Sequence, residues 1–212
     1  YLHGMINHQL PGEAGKLFDI PDAFDMELQD SFEVVYINVE TTEENDVIKT
    51  VKSYFYRGDC DISWYGLKNG FDVIRKEQAS IIEKINRDMK DRGRYLKRIC
   101  YEPGVGGTTL MRRLAWELRA QYPTLILKKY NEQTARNIQK LYDITHGQIL
   151  IFADSNNIEI EEIKNLQFEL KRMGFAFLIC YMERKLKGLP VSDAAIYTIC
   201  LLYTSDAADD RI

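Results

Sequence analysis

From residue 95 onward the chain repeats one unit, a short apolar run followed by a turn and an amphipathic stretch. The apolar runs cover 95–101, 124–130, 148–154 and 175–181. They are almost unbroken, without the polar alternation of a strand that has one wet face. Such runs belong to parallel strands covered on both sides. The stretches between them, 108–121, 134–145 and 158–173, carry apolar residues at helical spacing. Leu110, Met111, Leu114 and Leu118 mark one inward stripe, and Ile163, Leu166, Leu170 and Met173 another. The pattern predicts an α/β fold of three layers, with a mostly parallel sheet between helices.

The part before residue 95 reads less regularly. Pro11-Gly12 and Pro21-Asp22 are turn signals, and 32–39 is rich in β-branched and aromatic residues and reads as a strand. A helix is predicted over 44–56, a short aromatic connector over 62–66, and a second helix over 73–91 with Ile81, Ile82, Ile85 and Met89 on one face. We divide the chain into 1–43, a small α+β segment that ends an upstream domain or forms a linker; 44–94, a helical lead-in; and 95–199, an incomplete core. Residues 200–212 resemble the in-frame translation of a transposase adaptor used in sequencing libraries. That tail is expected to be foreign to the fold, with a further strand and helical domains following residue 199 in the full protein.

Composition narrows the function classes. There are 28 Lys plus Arg against 32 Asp plus Glu, a net charge of −4. Such a balance does not indicate nucleic-acid binding through bulk charge. No apolar run approaches the roughly 18–20 residues of a membrane span. The four cysteines, Cys60, Cys100, Cys180 and Cys200, form no CxxC pair, and His3, His8 and His146 have no metal-ligand spacing. A reducing cytoplasm is the expected setting.

The turn after the first run of the sheet reads Glu102-Pro103-Gly104-Val105-Gly106-Gly107-Thr108-Thr109. A Gly-rich turn between a strand and an amphipathic helix is the context of a phosphate-binding loop. Backbone amides from Gly104 to Thr109 can converge on one anion, and the helix adds its unpaired N–H groups. Thr108 can ligate a magnesium ion through its hydroxyl. Two positions depart from G-x-x-x-x-G-K-[ST]. Tyr101 stands where the first glycine belongs, and Gly107 where the lysine belongs. The charge on the β- and γ-phosphates is therefore missing. Arg112 and Arg113 lie a turn too far along the helix to supply it. The run 149–154 ends in Asp154, the form of a Walker B segment whose aspartate holds magnesium. Arg184, beyond the following run, is a candidate γ-phosphate sensor.

These residues, with Phe55-Tyr56-Arg57-Gly58, Ile62-Ser63-Trp64 and Leu114-Ala115-Trp116, resemble the P-loop NTPase region of the sterile alpha motif domain-containing protein nine family and its bacterial relatives. The resemblance covers about 52–184. It implies a STAND-type signal-transducing NTPase within a larger innate-immune or antiphage protein, partnered by its other domains and assembling into a homo-oligomer on activation. The double glycine before threonine, without lysine, is itself a mark of that group. By the same resemblance Arg75, in Val73-Ile74-Arg75-Lys76-Glu77, lines the adenine side. ATP with Mg2+ is the expected cofactor, bound with slow turnover or none. The competing reading is a non-enzymatic scaffold with an empty site. No catalytic residue is assigned.

Overall fold

The computed structural model describes residues 8–38, 64–185 and 197–198. The helix expected over 44–56 and the motif residues before Trp64 lie outside the described residues. In chain order the elements are β1 (Gln9–Pro11), a 3-10 turn (Glu13–Gly15), β2 (Leu17–Asp19), α1 (Asp22–Gln29), β3 (Phe32–Val34), α2 (Trp64–Lys68) and α3 (Lys76–Lys90). There follow β4 (Arg94–Tyr101), α4 (Gly107–Leu118), β5 (Thr124–Leu127), α5 (Thr134–Thr145), β6 (Ile149–Asp154), α6 (Ile160–Met173), β7 (Phe177–Arg184) and β8 (Tyr197–Thr198).

Strands β1 and β2 form a small antiparallel hairpin, and the other six form one sheet in the order β3-β5-β6-β7-β4-β8. Its strands from β5 to β8 run parallel, and β3 closes the β5 edge antiparallel, Phe32 opposite Leu127. All six residues of β6 are buried. The unbroken apolar runs follow from this: each side chain of a central strand enters one of two cores.

One core contains Leu125, Ile149, Ile151, Ile179, Ile138 and Leu166, so α5 and α6 cover that face. The other contains Ile126, Leu150, Phe152, Leu178, Ile85 and Leu114, so α3 and α4 cover the opposite face. The arrangement has the three layers the sequence predicts. Leu10, Phe24, Leu28 and Phe32 join the first core, so the N-terminal residues share packing with the later helices. Each such side chain contributes about 1.5–3 kcal/mol by leaving water.

Several details differ from the sequence reading, beginning with the strands expected over 32–39 and 124–130, which end at Val34 and Leu127. The connector at 62–66 is in part helical, because Trp64–Lys68 forms one turn against α4. The helix expected from residue 73 begins at Lys76, and Val73 and Ile74 before it are 69% and 74% exposed. The strand expected beside β4 only after residue 199 is met earlier, where Tyr197 and Thr198 pair with Ile99 and Cys100. Among the described residues no helix is long and apolar enough to cross a membrane.

Candidate functional site

Strand β4 delivers the chain to the carboxyl end of the sheet at Tyr101, and α4 departs from Gly107. Gly106 caps that helix in the left-handed region, φ 75, as does Gly104 at φ 80 within the turn. Residues with a Cβ adopt this conformation at a cost, which is why glycines stand there. Val105 between them is buried and anchors the turn in the core. No side chain caps α4, and its first turn holds no acidic residue. Its opening amides are thus without a side-chain acceptor, the condition for an anion site.

Asp154 ends β6 only 2% exposed. Its Oδ2 accepts from Thr108 Oγ1 at 2.7 Å. Its Oδ1 accepts from the Tyr101 hydroxyl at 3.1 Å and from the Asn156 backbone N–H at 3.0 Å. Asn156 Nδ2 in turn donates to the Tyr101 hydroxyl at 3.2 Å. Strand β7 separates β4 from β6 in the sheet, so this network spans three strands across their carboxyl ends. Burial pushes the Tyr101 phenol above its ordinary range, and the neighbouring Asp154 charge pushes it the same way. The phenol is therefore neutral at physiological pH. Thr108 and Asp154, a hydroxyl and a carboxylate, are hard oxygen donors suited to magnesium. Among the described residues no three His, Cys, Asp or Glu side chains cluster as a protein-only metal site.

Arg75 ends the extended segment before α3, and its Nη2 donates to the Val105 carbonyl. A Cβ built on Gly106 would lie 2.9 Å from the same nitrogen. The guanidinium therefore rests on the loop itself. Arg112 and Arg113 are engaged elsewhere. Arg112 grips Glu33 through both Nη atoms, at 2.6 and 2.7 Å, with its guanidinium 4.2 Å over the Trp64 ring. Arg113 pairs with buried Asp72 and donates to the Leu67 carbonyl at 2.7 Å. Trp64 stacks on Trp116 at 5.9 Å. These contacts latch the segment 64–72 onto α4 and so fix the stretch leading into Arg75. Arg184 is the last residue of β7; its backbone N–H donates to Ser155 Oγ at 3.0 Å. Its side chain is exposed and forms no ion pair among the described residues.

Thus Gly104, Val105, Gly106, Gly107, Thr108, Thr109, Asp154 and Arg75 converge at one end of the sheet, with Arg184 at its border. Sequence reasoning registered Tyr101 only as a misfit and passed over Asn156. Two departures from one motif, six residues apart, were the available signal. A groove of about 290 Å3, lined in part by Lys90, Gln121, Pro123 and Gln148, lies at the amino ends of the strands instead. Ligands of parallel sheets bind at the other end.

A family model described as Novel STAND NTPase 5 matches residues 53–189. Curated proteins give no match. Among solved structures, PCH-2 from C. elegans shares 15% identity and a TM-score of 0.48, covering 68% of this chain and 47% of its own. The chain thus spans about half the length of that protein. The HORMA:CdnC:Trip13 complex of E. coli MS115-1 contributes a chain of 13% identity and TM-score 0.33, covering 61% of this chain and 58% of its own.

Proposed function

The chain belongs to the Novel STAND NTPase 5 family, and from that premise we propose that it is the ATP-binding switch of a larger innate-immune or antiphage protein. Backbone amides from Gly104 to Thr109 cradle the phosphates. Thr108 and Asp154 hold Mg2+, which when bound supplies positive charge to the phosphates. Arg75, expected on the adenine side, rests on the loop through the Val105 carbonyl and adds a cation there, and Arg184 reads the γ-phosphate. The observation that carries this reading is the 2.7 Å contact between Thr108 Oγ1 and Asp154 Oδ2, which joins the loop helix to the end of β6.

Hydrolysis is slow or absent in this reading. Gly107 gives no ammonium, and Asp154 is followed by Ser155, Asn156 and Asn157, none of which can act as a carboxylate base. Binding shifts the packing of neighbouring domains and oligomeric state, in the manner of a switch. Calorimetry with MgATP tests the proposal. Micromolar binding that disappears in Gly106→Arg supports it, since the new side chain meets both a left-handed backbone and Arg75. A folded chain that gives no heat at millimolar MgATP favours a scaffold without nucleotide, a reading supported by the missing lysine.

A further inference from the structure

The two departures from the phosphate-loop pattern meet in one contact. A Cβ at Gly107 would sit 2.4 Å from Cδ2 and Cε2 of Tyr101 and 2.6 Å from Cγ. Carbon atoms in good contact are about 3.5–4.0 Å apart. The ring has little room to yield. It is 5% exposed and packs in the core that holds Val105 and Leu110. Its hydroxyl is bound at Asp154 and at Asn156. Tyr101 therefore fills the space through which any side chain on residue 107 would leave the backbone.

We propose that Tyr101 and Gly107 are a single exchanged pair, in which the Tyr101 phenol is the positioning group that stands in for the absent ammonium. The inference rests on the nucleotide reading given above. The hydroxyl arrives at Asp154, the same carboxylate that meets Thr108, so it stands among the metal donors. By holding Oδ1 it leaves Oδ2 directed at the loop helix. Its chemistry differs from that of an ammonium in one respect that matters. A neutral phenol orients the carboxylate and donates one hydrogen bond, but it brings no charge to the phosphates. That charge has to come from the divalent ion, Arg75 and Arg184. The site consequently recognises a metal–polyphosphate complex and discriminates against the free polyphosphate.

The test uses the whole chain, titrated with ATP in magnesium and again in EDTA, together with melting curves taken without nucleotide. The wild type should bind at least about tenfold more weakly in EDTA. Tyr101→Phe keeps the ring but loses the hydroxyl. It should lose about tenfold in MgATP affinity, the scale of a hydrogen bond to a charged group, and nothing in EDTA. A role in packing alone would leave the magnesium-to-EDTA ratio unchanged. Gly107→Lys alone should melt several degrees lower. Tyr101→Gly, which empties a core site, should cost clearly less in the Gly107→Lys background than in the wild type, and should make binding less dependent on magnesium. Gly107→Lys melting with the wild type, or an unchanged metal ratio in Tyr101→Phe, overturns the proposal. If the folded wild type binds no MgATP, the nucleotide reading and the phenol's role fall together, while the melting series alone still decides whether the two positions are exchanged.

Discussion

A buried carboxylate without an ammonium beside it must find donors among neutral groups, and Asp154 takes three, from Thr108, Tyr101 and Asn156. Thr108→Ala removes the donor closest to the expected ion. We predict at least a tenfold loss of MgATP affinity, read by calorimetry, and a lower melting point without nucleotide, because Asp154 loses one of its three donors. The latch beneath Arg75 behaves differently. Arg113 and Asp72 are 8% and 2% exposed as side chains. Arg113→Met leaves the Asp72 carboxylate buried and unpaired, at a cost of about 3–5 kcal/mol in denaturant unfolding. Arg113→Met combined with Asp72→Leu should recover most of that loss. The loop glycines, Thr108 and Asp154 were legible in the sequence because each sits at a fixed offset from a strand end. The partners of Arg112 and Arg113 were not, since Glu33 and Asp72 lie 79 and 41 positions away.

Elements were legible where one period dominates. Thr134–Thr145 begins and ends where the sequence places it, bounded by polar turns on both sides. The boundaries that moved did so for tertiary reasons. Strand β7 runs on to Arg184 because Glu183 and Arg184 continue the pairing with Cys100 and Tyr101. The single turn of α2 escaped notice because five residues cannot show a helical period, and its stability comes from the Trp64–Trp116 stack. Helix α5 stops at His146, which takes a left-handed φ of 49 with its N–H bonded to the Tyr142 carbonyl. A glycine takes this conformation without strain, so His146→Gly should stabilise the chain by about 0.5–1 kcal/mol, seen as a melting point a few degrees higher. Helix α6 opens with a reciprocal bond pair between Glu159 and Glu162. Glu159→Ala should cost about 1 kcal/mol in the same assay.

For the molecule as a whole, alkaline pH is the sensitive direction. Burial, and next the neighbouring Glu183, push the Tyr181 phenol up to about 12. Burial, and next the hydrogen bond to Asp25, raise Tyr36 as well. In the unfolded chain both titrate near 10. The folded state holds these protons longer, so their stabilisation is complete below about pH 10 and is lost as pH rises through the folded values. Denaturant midpoints should therefore fall steadily between about pH 10 and 12. Tyr181→Phe should flatten that fall, although it also loses the bond to the Ile158 carbonyl. The layered architecture was legible from four apolar runs and the stretches between them. The antiparallel edge was not, because no local signal in 32–39 names Thr124–Leu127 as its partner. That edge bears on how the chain is born. Phe32–Val34 leaves the ribosome long before β5, with β4 and α4 still to be made. A nascent chain halted short of Thr124 offers Phe32–Val34 no β5 to pair with, so this edge of the six-stranded sheet closes only after β4, α4 and β5 have been made.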